Sequence, residues 1–373
     1  MKKPMLFLAP FIFLVCCSPR QPEIQQAADR GVFEMLALHV QSRMKLSYNC
    51  SAGGAVVTQD GKIIYEEYFG GTHRGPDAVA VTAQSRFPFF SVSKGFGAAV
   101  LASLVSDGTL SLDDPVAKYL DYFKGTGPGG KYPRQLVTVR HLASHSSGLP
   151  DDSTPPRTWG EEPPFNDVVL KFKPGESFLY TELAMRLLGY VMELASGRTY
   201  EQLLAERVVE PLGISSVGYV RRGESVENVV HTCVGVDSSY IAYSDEFAGK
   251  PYPGSGLYGS LPDIARYAQA WLDGGKAGER QLFNPNYIAR AWQTQPPGRE
   301  PDPDYGLLFW LFPQADAVVF SGMAHTICAI LPEQDMILVM GLNQREGNRG
   351  WSFQEEKLNL ARIGHAILAQ MPL

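Results

Sequence analysis

The sequence predicts an α+β fold, an α/β sandwich in which helices flank one antiparallel sheet. Strand patterns lie near both ends of the 373-residue chain, and helical patterns with Pro/Gly-rich loops fill the stretch between them. Hydrophobic residues make up 45% of the chain and charged residues 19%, which is enough apolar material for a large core. We therefore expect strands from both ends to share one sheet, with a mainly helical subdomain inserted between them.

The individual elements follow from periodicity and turn residues. Apolar residues at helical spacing predict a helix over residues 27–44, and Asp60-Gly61 between two short apolar runs predicts a β-hairpin. Near the other end, strands are predicted over 317–320, 326–331 and 336–342, followed by a last helix over 353–369. The domain organisation that results is a sheet half over 27–94 and 300–373 and a helical half over 95–299.

The first residues read as a targeting segment. Two lysines precede an apolar run over residues 5–15, which is too short for a permanent membrane span and typical of a signal peptide over 1–17. Leu14-Val15-Cys16 before Cys17 resembles a bacterial lipoprotein signal, which implies lipidation of Cys17, with cleavage before Cys16 left open. An ordinary signal with two accidental cysteines is the alternative. We expect a polar tether over 18–26 and a membrane-anchored lipoprotein facing the periplasm or the cell exterior.

Charge and cysteine usage exclude several partners. Lys+Arg 33 against Asp+Glu 39 gives a net charge of −6 with no basic block, which argues against nucleic acid. Cys50, Cys233 and Cys328 form no CxxC pair, so no zinc site and at most one disulfide are predicted. His141 and His145 stand four residues apart but lack a third ligand at suitable spacing, so no metal and no cofactor are expected.

A candidate nucleophile lies before a buried helix. Ser91 and Lys94 precede the apolar run 96–105, and their spacing of three places both side chains on one helix face. A serine hydroxyl needs a base, and a lysine serves only when burial and the positive end of a helix lower its pKa. Spacing alone leaves open a helix-capping Ser91 with an exposed Lys94. Ser42 and Lys45 have the same spacing without a buried run behind them.

Several segments occur in the order of a known superfamily, at residues 60–66, 87–94, 112–116, 141–149, 254–257 and 263–266. From about residue 31 to 368 the chain resembles the serine hydrolases that include class C β-lactamases, D-Ala-D-Ala carboxypeptidases, family VIII-type esterases and 6-aminohexanoate-oligomer hydrolases. The resemblance implies a β-lactamase/transpeptidase-like fold. It also implies that Ser91 attacks a carbonyl, that Lys94 and a tyrosine move its proton, and that water releases the acyl-enzyme.

The second motif of that superfamily is Tyr-x-Asn, and Tyr180 takes its tyrosine position. A phenol beside a buried cation can lose its proton more readily and exchange it with the nucleophile or the leaving group. Glu182 stands where asparagine is usual. A carboxylate at this position would hold Lys94 protonated, against the expected mechanism, unless it points away.

The third motif, Lys-Thr-Gly or His-x-Gly, is placed at residues 320–323, where Phe320 replaces the usual cation. The resemblance implies that Gly322 lets substrate approach the strand and that the Met323 and Ser91 amides form the oxyanion hole. A shifted register would place His325 in the cleft. Without the cation, the site should favour neutral esters or amides over penicillins.

The function predicted is hydrolysis of an ester or amide bond of a small substrate through an acyl-enzyme on Ser91. One alternative is a β-lactamase or D-Ala-D-Ala peptidase acting on penicillins or peptidoglycan. An alternative of another class is a catalytically silent binding lipoprotein, suggested by Glu182 and the altered third motif. The acyl group, the leaving group and the oligomeric state are not specified by the sequence.

Overall fold

The computed structural model describes residues 30–46, 50–127, 129–150, 168–221, 224, 226–234, 239–241, 251–295, 304–344 and 353–371. Its main feature is a seven-stranded sheet in the order β10-β11-β12-β13-β14-β1-β2, with every neighbouring pair antiparallel. The strands are β1 (Ala52–Gln59), β2 (Lys62–Gly70), β10 (Asp304–Tyr305), β11 (Trp310–Phe312), β12 (Ala317–Gly322), β13 (Thr326–Leu331) and β14 (Met336–Leu342). The sheet therefore joins both ends of the described chain, as the sequence predicted.

Strands β1 and β14 are neighbours in the interior of the sheet and come from opposite ends of the chain. They pair with Val56 opposite Val339, and every residue of β14 is buried. Strands covered on both faces read as continuous apolar runs, which explains why these segments were recognisable. The β1–β2 turn uses Asp60 at φ 48° and Gly61 at φ 71°, the left-handed pair that a two-residue hairpin requires.

The first and last helices, α1 (Arg30–Leu46) and α9 (Phe353–Leu368), cover one face of the sheet. Leu36 and Val40 of α1 share an apolar cluster with Leu360 of α9 and with residues of the central strands. Buried Glu356 joins the two helices, with Oε1 2.9 Å from His39 Nε2 and Oε2 2.5 Å from Arg43. The terminal helices thus form one layer held by apolar packing and a buried charge cluster.

The opposite face carries the chain between the two ends. Helices α2 (Val92–Ser106) and α7 (Leu261–Leu272) lie against the sheet, and Gly54 and Gly341 leave room for Leu261 of α7. The remaining helices are α3 (Val139–Ala143), α4 (Glu182–Ser196), α5 (Tyr200–Leu204), α6 (Glu210–Leu212) and α8 (Pro285–Ala291). Together with α2 and α7 they build the mainly helical part of the molecule.

Short strands complete the topology. A three-stranded sheet contains β3 (Phe87–Pro88), β7 (Leu257–Gly259) and β4 (Gly218–Tyr219), and two hairpins are formed by β5 (Thr232–Val234) with β6 (Ser239–Ile241) and β8 (Lys276–Ala277) with β9 (Arg280–Gln281). Pairing of β3 with β7 fixes the segment just before α2, because Phe87 lies opposite Gly259. No helix within the described ranges is long and apolar enough to cross a membrane.

The predicted fold class is confirmed, and the predicted helices and strands occur with ends shifted by a few residues. The edge strands β10 and β11 were not predicted, because two or three residues give no period to detect. The domain boundaries at residues 94 and 300 stay a prediction. The predicted signal peptide, the tether and the lipidation site at Cys17 lie outside the described residues.

Candidate active site

The turn before α2 presents Ser91 at the N-cap position of this helix. Ser91 is partly exposed and makes no side-chain capping hydrogen bond. Phe90 before it has φ 46°, a left-handed conformation that is costly for an aromatic residue and that persists where the surroundings impose it. The turn therefore holds the Ser91 hydroxyl available for chemistry, and the capping interpretation of this serine is wrong.

Lys94 lies in the first turn of α2 with a side chain only 2% exposed. Its Nζ is 3.0 Å from Ser91 Oγ, 2.5 Å from Glu182 Oε1 and 2.9 Å from the Gly254 carbonyl oxygen. Helix spacing brings Ser91 to Lys94, whereas α4 and the loop before β7 bring the other two oxygens. Three oxygens surround one buried amine.

The protonation of Lys94 differs from the sequence expectation. Burial lowers the pKa of Lys94, but the charge of Glu182 and contacts with Tyr180 outweigh it, so the pKa stands above its ordinary value. The prediction of a lowered lysine pKa is therefore wrong. The carboxylate points toward the amine, which is the case the sequence analysis identified as unfavourable for a lysine base.

Tyr180 completes the predicted catalytic set. Its ring centroid lies 4.9 Å from Lys94 Nζ and 4.2 Å from the His145 ring, and it stacks on Trp310 at 5.7 Å. Burial raises the pKa of Tyr180, and the Lys94 charge with hydrogen bonds to Ser91 and Lys94 only partly opposes this rise. The phenol is thus protonated at neutral pH and sits beside both the nucleophile and its lysine.

Glu182 is held by the first turn of α4 and by a tyrosine. Thr181 caps α4 by accepting a hydrogen bond from the Leu183 amide, and the positive end of this helix favours a carboxylate at Glu182. The Tyr252 hydroxyl donates to Glu182 Oε2 at 3.1 Å. An ideal Cβ on Gly254 would lie 2.4 Å from the same oxygen, so glycine leaves space for the carboxylate.

Gly322 and Phe320 of the third motif are two residues apart on β12 and lie on the same face of the sheet, toward α2 and the turn before it. Gly322 lies against the turn before Ser91, where an added Cβ would overlap the Phe89 carbonyl oxygen. Phe320 is buried against Gly95 of α2, and its ring contacts Tyr267 and Phe309. Met323 follows in the turn with 54% of its surface exposed, and its role in the oxyanion hole stays a prediction.

His325 does not join the site. It has φ 61° in the turn between β12 and β13, and the charged groups that act on it are Glu356 of α9 and Arg43 of α1. Its neighbour Thr326 faces the other way and donates to the Pro88 carbonyl at 3.0 Å. Successive strand residues point to opposite faces, so His325 faces the terminal helices and the shifted register is wrong.

Other residues of the site gave no clear signal in the sequence. Tyr252 and Trp310 occur outside the quoted motifs, Tyr252 in the segment before β7 and Trp310 at the start of β11. His145 is fully buried, and its Nδ1 accepts a hydrogen bond from the Thr181 amide, which orients the loop carrying Tyr180. Burial and then Lys94 lower the pKa of His145 well below its ordinary value, so it is neutral.

The minor candidates have structural roles. His141 Nδ1 accepts from the Thr138 amide at the start of α3, and no group of potential metal ligands occurs among the residues that the structure describes. Cys50 and Cys328 are buried cysteines, and the Cys233 side chain lies outside the described part. The interpretation of Cys50 and Cys328 as small buried residues agrees with these positions.

A serine at a strained turn, a lysine at hydrogen-bonding distance and a tyrosine beside both are the elements of nucleophilic acyl transfer. The fold and this arrangement define a serine hydrolase that forms an acyl-enzyme. Residues 36–362 match the protein-family model described as Beta-lactamase. The chain belongs to this family.

Individual relatives agree with this class. The D-alanyl-D-alanine-carboxypeptidase/endopeptidase AmpH of Escherichia coli (strain K12) is 26% identical over 290 residues, which cover 73% of this chain and 70% of that protein. Esterase EstB of Burkholderia gladioli is 27% identical over 256 residues, 58% of this chain and 64% of the esterase. The octameric penicillin-binding protein homologue from Pyrococcus abyssi shares the fold, with a TM-score of 0.73 at 22% identity over 92% of this chain and 78% of that one.

Proposed function

We propose that this serine hydrolase cleaves neutral esters, and amides more slowly, of small molecules, with Ser91 as the nucleophile. The observation that carries the substrate preference is the charge balance around Ser91. The Lys94 cation is bound by the Glu182 carboxylate at 2.5 Å, so the pair contributes little net positive charge. The third-motif position that would offer a second cation is occupied by Phe320, which is buried under α2.

A substrate carboxylate would therefore meet little attraction in this site. Penicillins and D-Ala peptides carry such a carboxylate, and its desolvation would have to be offset by a cation. Glu182 also lacks the amide donor that an asparagine would offer to a substrate carbonyl. Both features favour an uncharged acyl donor with a good alcohol leaving group.

In the proposed reaction, Ser91 Oγ attacks the ester carbonyl and forms a tetrahedral oxyanion near the turn between Phe90 and α2. Backbone amides of Ser91 and Met323 stabilise the oxyanion, and collapse releases the alcohol and leaves an acyl-Ser91 ester. Water then attacks this ester and restores the serine. Tyr180, beside Ser91 and Lys94, exchanges the proton of the leaving alcohol.

The test combines labelling with turnover. A fluorophosphonate probe should label the protein at Ser91, and Ser91→Ala should abolish both labelling and hydrolysis of p-nitrophenyl butyrate. Incubation with a penicillin, followed by intact mass, should show little acyl adduct. Labelling that fails in the wild type would favour a silent binding protein, and rapid stable acylation by penicillin would favour a β-lactamase or D-Ala-D-Ala peptidase.

We also propose that the protein is exported and anchored through a lipid on Cys17. The support is the charged start, the apolar run over residues 5–15 and the cysteine that follows. Metabolic labelling with a fatty acid should mark the wild type and the Cys16→Ser variant, and Cys17→Ser should remain unlabelled. Loss of label only in the Cys16→Ser variant would move the anchor to Cys16.

A further inference from the structure

The three oxygens around Lys94 are chemically unequal. The Gly254 carbonyl and the Glu182 carboxylate can only accept hydrogen bonds, so each takes one N–H of Lys94. The third direction of the amine points to Ser91 Oγ at 3.0 Å. An ammonium fills that direction with its third proton, whereas a neutral amine presents its lone pair to the serine hydroxyl.

In the resting site, neither of the expected bases is ready to accept a proton. Lys94 and Tyr180 both have raised pKa values, so Lys94 is an ammonium and Tyr180 a phenol near neutral pH. The acidic side chain in this contact set is Glu182, whose Oε1 lies 2.5 Å from Lys94 Nζ. Because Lys94 contacts both Ser91 Oγ and Glu182 Oε1, a proton leaving Ser91 can reach this carboxylate through Lys94.

We propose that Glu182 is the terminal acceptor of the Ser91 proton, which reaches it through Lys94. As Ser91 Oγ attacks the carbonyl, Lys94 takes the serine proton and passes one of its own protons to Glu182 Oε1. The start is a serine hydroxyl, an ester carbonyl, an ammonium and a carboxylate. The attack gives a tetrahedral oxyanion bonded to Ser91 Oγ, an ammonium and a carboxylic acid, and collapse of the oxyanion then expels the alkoxide. The stored proton returns through Lys94 and the Tyr180 hydroxyl to the leaving alkoxide, so the balance closes without another reactant.

The surroundings of Glu182 fit this role. The Tyr252 hydroxyl donates to the second carboxylate oxygen, and Arg186 lies over the Tyr252 ring at 4.6 Å. The other titratable groups that face the pair are Tyr180, Tyr305 and His145, and all three are neutral at pH 7 because burial shifts each pKa toward the uncharged form. In this proposal Glu182 acts on Ser91 only through Lys94, so we class it as a positioning residue and not as one that contacts the substrate.

The inference rests on the proposed nucleophile Ser91, and the Glu182→Gln variant tests it separately. This variant keeps the shape of the side chain and removes the acceptor, so catalysis must wait for deprotonation of Lys94 itself. We expect kcat/KM for p-nitrophenyl butyrate at pH 7 to fall about 10²-fold, the range of general base catalysis, and the acid limb of its pH profile to move to higher pH. Glu182→Asp should keep the wild-type position of the limb at a reduced rate.

The opposite shift would overturn the inference. Glu182 raises the pKa of both Lys94 and Tyr180. If either of these residues were the terminal base, removing the Glu182 charge would move the acid limb to lower pH and preserve activity at pH 7. The matched control is Glu176→Gln, an exposed surface residue 3.6 Å from Lys173, which should leave the profile unchanged.

Two further readouts separate the possible failures. If Glu182→Gln fails to fold, the Glu182→Asp variant tests the inference instead. An acid limb of its pH profile that is displaced from the wild-type position would contradict the inference. Fluorophosphonate labelling of the wild type reports on the proposed function alone. Normal labelling with a limb that moves to lower pH would reject the relay and retain the serine hydrolase.

Discussion

Among the described residues, Lys94 and Lys357 are lysines that are almost completely buried, and their pKa values are shifted in opposite directions. Lys94 contacts a carboxylate, a carbonyl and a serine, and its pKa is raised. Lys357 of α9 donates to Gln354 Oε1 and lies 3.7 Å from the Trp310 ring centroid. Burial lowers its pKa well below the ordinary value. Burial lowers the pKa of both amines, but at Lys94 a neighbouring carboxylate, together with a tyrosine, raises that pKa above its ordinary value.

The largest expected difference between the two lysines is in catalysis. Lys94→Met should lower kcat/KM for p-nitrophenyl butyrate by at least about 10³-fold, because it removes the group that moves the Ser91 proton. Lys357→Met, the matched variant, should stay within about threefold of the wild type. Initial rates on purified folded protein measure both. Comparable losses in the two variants would remove the functional distinction between the lysines.

A Tyr180 variant tests whether a second residue beside Lys94 carries a proton during catalysis. Tyr180→Phe keeps the ring stacked on Trp310 and removes only the hydroxyl, so we expect kcat to fall about 10²-fold with little change in KM. Tyr305→Phe, in the same aromatic cluster, serves as the control and should change kcat little. A rise in KM without a fall in kcat would indicate that Tyr180 only binds substrate.

Glu356 precedes Lys357 in the sequence and is a buried carboxylate, but its partners are Arg43 and His39 of α1. It extends the comparison to a second buried acidic side chain. Glu356→Gln should lower the free energy of unfolding by about 3 kcal/mol at pH 7, because Arg43 then loses its buried counter-charge and His39 loses its carboxylate hydrogen-bond partner. Urea unfolding of this variant and of the exposed Glu355→Gln control measures the effect. An equal change in the two variants would contradict it.

The same residue predicts a pH dependence. Burial raises the pKa of Glu356, but hydrogen bonding to His39 and the charges of His39 and Arg43 outweigh it, so the pKa is below its ordinary value. A depressed carboxyl pKa stabilises the fold above the unfolded value of about 4.3, and this stabilisation is lost as pH falls through the folded value. The difference between wild type and Glu356→Gln should therefore shrink in acid.

The smallest effect is expected for the stability of Lys357→Met. Between the lowered pKa of folded Lys357 and its unfolded value of about 10.4, the unfolded chain binds a proton at Lys357 that the folded protein does not, so the stability of the wild type rises with pH in this window. Methionine fits the apolar surroundings without that penalty, and we expect a gain of about 1 kcal/mol at pH 7 with a flatter pH dependence. A clear loss of stability would show that the Lys357 contacts outweigh its desolvation.

The sequence was informative wherever the evidence was local. The Ser91–Lys94 pair and the apolar α2 follow from helix spacing, and β14 follows from a continuous apolar run. The direction of Glu182 was not predictable, because it depends on how α4 packs against α2, 88 residues earlier in the chain. The alternative placement of His325 in the cleft was wrong for a related reason, because a one-residue change of register reverses the face to which a strand residue points.

The pairing of β1 with β14 has a consequence for how the protein is made. Strand β1 is synthesised among the first residues of the described chain, but β14, one of its two neighbours, is complete only after residue 342 has been added. Until then β1 can pair only with β2, and its other edge stays open to foreign strands. A chain truncated before Met336 lacks β14, so we expect it to aggregate during synthesis. Folding of the full chain should be slow, because the pairing of β1 with β14 joins residues that are far apart in the sequence.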